Sequence, residues 1–402
     1  MKKSDILMTL NAIGSRFYVD LIGRLAFSEL LVLITIPFTS SYKKISQYYG
    51  LRTVIVCLLL MVFIQIISDV VNQSLFRDWT RGISVLLIAI LSIFFFIDQL
   101  SKNINSIIYY LVGASIIYLL VGGSLVDIDF KFNPNYFKIR FVGFLNFFIL
   151  LLSFYLYKNK KFKISILMFF VFSFLCFTFD ARSNGLIFFI SAFMLSLKFF
   201  KPNLNKFFFT SYLLVFFVIL FGLYVVYVEQ VLSNNFGGSH SISQINKTAN
   251  PYNPIDLLYV GRIGVVVAGY AINEKPLLGH GSWAKDKNGK YAKISSQLRG
   301  GKVLDKSIIP AHSVIIGAWL NMGFFGFVIV MYLFYFFIKL FLKMYFKLNN
   351  SEYLPVIVAL SIEMMWHFLF SPFGTIRTTF PIIVALLIVM NSQFIRKNYN
   401  LK

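Results

Sequence analysis

Acidic residues are scarce in this chain. It has 16 Asp and Glu against 38 Lys and Arg in 402 positions, with four His and two Cys. Each shortage excludes something. Cys57 and Cys176 both fall in apolar runs, which leaves no basis for a disulfide framework. Residues 229–310 hold only Glu229, Asp256, Glu274, Asp286 and Asp305, well separated, against ten Lys or Arg. An oxygen-rich Mg²⁺ or Mn²⁺ site needs clustered carboxylates. His240, His280, His312 and His367 lack the spacing of zinc ligands. The expectation is chemistry with no metal and no cofactor. Charge of either sign is thin, at 13% of residues, so 229–310 is the only long hydrophilic segment. The first 24 residues lack the compact apolar core and cleavage site of a signal peptide. No internal repeat suggests inverted transporter halves.

What fills the chain is apolar. Hydrophobic residues make up 58% of it, with 48 Phe, in runs long enough to cross a hydrocarbon core of about 30 Å. Spans are predicted near 25–42, 53–72, 82–98, 104–122, 141–157, 163–179, 185–200, 206–228, 311–337, 352–370 and 375–392. The fold class expected is an all-α polytopic membrane protein of eleven or twelve transmembrane helices. Residues 1–228 would be an N-terminal bundle, 229–310 one large outer loop with short helices, and 311–402 the C-terminal helices. The net charge of +22 is no sign of nucleic acid, because it sits in short connections between spans. The positive-inside rule places Lys43, Lys44 and Arg52, Lys102, Lys158 to Lys163, Lys198 to Lys206, Lys339 to Lys347, and Arg396, Lys397 and Lys402 on the cytoplasmic side. Segments 73–81, 123–140, 180–184, 229–310 and 371–374 then face outward. The opening 24 residues read either as an interfacial amphipathic helix or as part of an extra span, which would put the N-terminus inside.

Five stretches on the outer side stand out: DWTRG (78–82), FDARSNG (179–185), GRIGVVVAGYAINEKPLLGHGSW (261–283), IPAHSVIIGAWLNMGFFG (309–326) and GTIRTTF (374–380). Each puts an Arg or His where charge-based orientation offers no reason for it, so the cation needs a partner or a ligand. Local alternatives stand beside a functional one. Arg77 and Arg81 pair with Asp78 or snorkel, Arg182 pairs with Asp180 across a short turn, and His312 is hydrogen-bonded at a helix start. Glu29, Asp69 and Glu363 lie in spans and shape a cavity or pair with neighbours. Pro276 ends the apolar run IGVVVAGYAI, and Gly279 and Gly281 permit close backbone approach. Residues 256–274 therefore read as a loop helix near the bilayer surface, with 275–283 turning over the site.

An Arg-containing turn, a large loop with Arg262 and PLLGHG (276–281), and His312 ahead of a helix carrying MGFFG (322–326) occur in that order. The sequence resembles the O-antigen polymerase/O-antigen ligase superfamily from about residue 55 to 392, most closely over 180–326. Two departures are Asn184 before Gly185 and Ser313 after His312. The resemblance implies a bacterial inner-membrane glycosyltransferase acting at the periplasmic face. Its donor would be an undecaprenyl-pyrophosphate-linked oligosaccharide, its acceptor a hydroxyl. Its partners would include membrane lipid and a chain-length regulator or flippase, with no nucleic acid. Arg182 and Arg262 would bind the pyrophosphate bidentately, and His312 would be the base, kept neutral by nearby cations. Arg81, His280 and Arg377 would stand in supporting positions, although a turn histidine held structurally suffices for His280. Trp283 and Tyr291 either stack on sugar rings or anchor the loop at the interface. Three functions remain open: a polymerase of repeat units, a ligase delivering glycan to a lipid-core or other acceptor, and a transporter of the lipid-linked glycan. A transporter would gather its polar residues at the midplane, and here they gather at the outer surface.

Overall fold

The computed structural model describes residues 2–20, 24–39, 46–122, 137–203, 205–234, 236, 238–298 and 308–399. Lys43, Lys44, most of the 123–140 segment, Asp305 and Lys402 lie outside the described residues. Among the described residues the named elements are helical apart from one short hairpin, β1 (Tyr18–Asp20) against β2 (Arg24–Ala26). An apolar helix stands at each of the eleven predicted spans. These are α2 (Phe27–Thr35, continued as a 3₁₀ turn to Phe38), α3 (Leu51–Val71), α4 (Phe76–Lys102), α5 (Ser106–Val121), α6 (Val142–Lys158) and α7 (Phe162–Thr178). They continue with α8 (Arg182–Phe200), α9 (Lys206–Asn234), α14 (Val314–Lys347), α15 (Leu354–Phe370) and α16 (Phe380–Tyr399). Ahead of them lies α1 (Lys3–Gly14), and between α9 and α14 come α10 (Gly238–Asn246), α11 (Pro254–Gly261), α12 (Ile263–Glu274) and α13 (Lys290–Leu298).

Five of these, α3, α4, α8, α9 and α14, are long and apolar enough to cross a membrane, and α11 with α12 makes a sixth if counted as one interrupted span. The chain is thus an all-α, multi-pass membrane protein. The other apolar helices are shorter, since Pro37 sits in the turn that ends α2 and a 3₁₀ turn over Phe373–Arg377 delays the start of α16. The expected continuous loop helix over 256–274 is corrected: Arg262, at φ −130° and ψ 40°, interrupts it.

Two compact units form, and they interleave along the sequence. The first comprises Met1–Tyr109, Arg262–Met344 and Glu363–Lys402, and the second Tyr110–Gly261 and Tyr345–Ile362. In the first, α4 is the central helix, buried along most of its length and packed by α1, α2, α3 and α16. In the second, α7 and α8 form an antiparallel pair whose contact is largely aromatic: Phe172 meets Phe188 edge to face at 4.7 Å. Gly185 allows this approach, and its carbonyl accepts a hydrogen bond from Ser173 Oγ at 2.7 Å. Lys198, 1% exposed, is buried with its Nζ donating to the Pro202 and Phe346 carbonyls and to Asn349 Oδ1. Burial of a lysine without such acceptors would be prohibitive.

The described residues ahead of α2 belong to the first unit. Asn103 Nδ2 donates to Asp5 Oδ1 at 2.7 Å, so α1 starts where α4 ends. At its other end, Gly14 meets the backbone of Phe27 and Ser28. The hairpin that follows brings Arg24 and Glu29 to Arg377, which precedes α16. Since Tyr49 N donates to Ser392 Oγ late in α16, Arg377 and Asp5 lie at opposite ends of the unit. Through α1 and β1 the described residues before α2 therefore run from one end of the unit toward the other. At 12 residues, α1 is about 18 Å long. Cysteines introduced at Lys3 and Asn103 should share one sidedness toward an impermeant thiol reagent, and a cysteine at Lys287 the other. Cys57 and Cys176 are buried, which keeps the background low. Labelling of Lys3 together with Lys287 would refute this course.

Candidate functional site

The loop after α12 meets a break in α14. Gly323 has φ 69° and ψ −163°, which no helix contains, and it divides α14 into two segments. Into that break dock residues 276–281. His280 N donates to Leu320 O at 2.7 Å, Gly281 N to Asn321 O at 3.1 Å, and Phe324 N to Pro276 O at 2.8 Å. The carbonyls freed by the break thus find new donors, as buried backbone groups must. Gly279 (φ +70°) and Gly281 (φ +80°) take the left-handed backbone. Side chains of α3 fasten the other flank. Ser68 Oγ donates to Leu278 O and Asn321 O, and Asn72 Nδ2 donates to Gly279 O. Asp69 accepts from Ser282 through both its backbone N (2.5 Å) and its Oγ (2.7 Å). The glycine-rich stretch, expected to turn over a site, is instead a clasp between α3 and α14. Asp69, one of the acids that lie in the predicted spans, is part of that clasp.

Arg262 and His312 are both placed near the start of α12. Arg262 is the N-cap residue of that helix, and its guanidinium lies over the Phe370 ring at 5.7 Å. Two residues on, Gly264 has no side chain, and the imidazole of His312 occupies the space. A methyl group on Gly264 would come within 2.5 Å of His312 Cδ2 and 3.3 Å of Nε2. Behind them α12 buries Val267, Ala268 and Ala271 in a core with Ala284, Tyr291, Ile309 and Leu320. Ser313 Oγ donates to Phe368 O, fastening the segment after His312 to the end of α15. A cation and an imidazole are thus set on one helix terminus by packed apolar residues.

Arg182 belongs to the second unit, where its Nε lies 3.4 Å from Asp180 Oδ1 and its Nη2 donates to Gln244 Oε1 at 2.5 Å. The local pairing with Asp180 is therefore present. Asp180 sits at φ +60° and accepts from Ser241 Oγ at 2.7 Å. The side chain of Arg182 remains 23% exposed.

The supporting residues are dispersed. Arg377 pairs with Glu29 at 3.2 Å and donates to Arg24 O. Arg81 lies over Trp283 at 5.7 Å, while Asp78 pairs with Lys285 at 3.3 Å. His280 is the structurally held turn histidine, its Nε2 2.7 Å from Ala271 O. Burial holds its pKa below the ordinary value, and the charge of Lys275 adds to the effect against the opposing hydrogen bond to Ala271. Tyr291 is buried beside it and donates to Glu274 Oε2, so it neither stacks on a ligand nor anchors the loop in lipid.

One arrangement escaped the sequence reading. On α15, His367 Nδ1 lies 2.7 Å from Ser371 Oγ and Nε2 lies 3.8 Å from Glu363 Oε1. Glu363, His367 and Phe370 follow helical spacing, so this polar stripe ends beneath Arg262. The i, i+4 spacing of Glu363 and His367 was the signal available. Among the described residues, no three His, Cys, Asp or Glu are grouped closely enough to hold a metal. In comparisons with known proteins, no family model and no curated sequence matches this chain.

Proposed function

We propose that this protein is an integral-membrane glycosyltransferase that joins oligosaccharide repeat units carried on undecaprenyl pyrophosphate, at the periplasmic face of a bacterial inner membrane. The observation that carries the reading is that Arg262 is the N-cap of α12 and the His312 ring packs on Gly264 two residues on. In the reaction, an acceptor hydroxyl oxygen attacks the anomeric carbon, and its proton passes to neutral His312. The bond from that carbon to the pyrophosphate oxygen breaks, and the leaving group keeps the electron pair. Guanidinium groups suit the growing negative charge because they stay protonated and bind phosphate oxygens in pairs. Arg262 takes that role, and a part for Arg182, in the second unit, is a separate expectation that its own variant tests. No step calls for a metal, and the excess of basic residues in 229–310 favours an anionic carrier.

Purified protein given lipid-linked donor should elongate it in excess EDTA. Arg262→Lys and Arg182→Lys keep the charge and lose the fork. Each should weaken the transition state by roughly 1.5–3 kcal/mol, about ten- to two-hundredfold in rate. Activity lost in EDTA and restored by Mg²⁺, or wild-type rates in both variants, would overturn the reading. In cells, deletion should leave single repeat units on the acceptor. Loss of all attachment, with finished chains kept on the carrier, would instead identify a ligase.

A further inference from the structure

Two of the stretches singled out in the sequence, DWTRG and the end of PLLGHGSW, meet each other. Contacts on both flanks hold them in register. On one, Lys285 Nζ lies 3.3 Å from Asp78 Oδ2. On the other, Ser282 rests on Gly82 so closely that a methyl group there would come within 1.9 Å of Ser282 Oγ. Between these contacts the Arg81 guanidinium lies 5.7 Å from the centre of the Trp283 ring. Trp283 has φ +58°, a conformation that a bulky side chain adopts only at a cost of order 1–3 kcal/mol. The two hydrogen bonds from Ser282 to Asp69 hold the chain in place just before it.

That strain does not serve to bury the indole, because Trp283 is 41% exposed even with the guanidinium over it. Nor does it serve a membrane anchor, which needs neither a strained backbone nor a cation fixed on the ring, and the residues that follow, KDKNGK (285–290), are polar. The two stretches carry further cations close in sequence, exposed Arg77 four residues before Arg81 and exposed Lys287 four after Trp283, while Lys285 pairs with Asp78. The surface is rigid, aromatic and basic.

We propose that Trp283 and Arg81 form a glycan-binding platform for an anionic sugar. The indole stacks against the C–H face of a pyranose ring, and the guanidinium receives the acid group of that ring or of its neighbour. The class of ligand rests on the reading of the chain as a glycan-transferring enzyme, and the site itself rests on the geometry above. It would hold the saccharide part of a lipid-linked unit.

The test uses the full chain in nanodiscs, with oligogalacturonate as the acidic probe and malto-oligosaccharide as the neutral one. Wild type should bind oligogalacturonate. Trp283→Gly removes the indole and suits the left-handed backbone, so it should fold with at least wild-type thermal stability and bind at least tenfold more weakly. Arg81→Gln should weaken the acidic probe severalfold and leave any binding of the neutral probe unchanged. Brominated phospholipid should not quench the fluorescence that Trp283→Phe removes. The proposal is overturned if wild type binds neither probe, if Trp283→Gly binds as wild type, or if that fluorescence is quenched, which would make Trp283 a membrane anchor. Transfer activity is measured separately. Turnover without platform binding removes this inference alone, and binding without turnover removes the enzymatic reading alone.

Discussion

Alanine at Gly323 is expected to destabilise the protein by about 2–6 kcal/mol, the sum of a backbone penalty and an overpacking penalty. At φ 69° and ψ −163° the residue occupies a region essentially restricted to glycine. A methyl group there would stand 2.1 Å from Leu277 O and 2.5 Å from Leu278 N. Those are backbone atoms of the docked loop, held by hydrogen bonds on both sides, so no side-chain rotation relieves the clash. The loop would have to withdraw, leaving the carbonyls of Leu320 and Asn321 without the donors at His280 and Gly281. Total stabilities run to only about 5–15 kcal/mol, so the variant should fall far in thermal midpoint in detergent or fail to accumulate. Two controls separate the causes. Gly289, at φ +65° with open space around it, should lose only about 1–2 kcal/mol as alanine. Gly269, within α12 and also in open space, should be neutral or gain up to about 1 kcal/mol. A Gly323→Ala protein as stable as wild type would mean that the loop does not seat in the break of α14.

The placement of helices was legible because apolar runs of this length have few other fates. Every predicted span holds a helix, and the phenylalanines that marked those runs pack against one another, as Phe172 does on Phe188. What the sequence concealed depended on contacts distant along the chain. Nothing local in MGFFG says that Gly323 breaks a helix, since the break is stabilised by residues some forty positions earlier. For the same reason PLLGHG read as a flap and is a clasp. The two-residue polar signature of Glu363 and His367 was readable from spacing alone, and an apolar surrounding masked it. Arg262 and His312 lie fifty positions apart, and hydropathy holds no information on their shared placement near the start of α12. The small residue on which His312 packs, Gly264, was not distinguishable in the sequence from the other glycines of the loop.

That glycine permits a decisive test of the proposed base. His312→Ala should cost about 10²–10⁴-fold in turnover, the range of general base catalysis, with donor binding retained because the guanidinium groups are untouched. Loss of one side chain does not by itself distinguish a base from a strut. Gly264→Ala retains every functional group but pushes the His312 ring from its seat, since the added methyl group would lie 2.5 Å from Cδ2. The ring and Pro310, 3.3 Å from the same point, must both shift. A displacement on that scale should lower turnover by about 10- to 100-fold, with donor affinity unchanged. The double variant then decides the matter. If Gly264→Ala acts by misplacing the imidazole, it has nothing left to misplace in the His312→Ala background, and the two losses will not multiply. Multiplicative losses, or wild-type turnover in Gly264→Ala, would show that His312 does not take the proton at this position, whatever the severity of its removal.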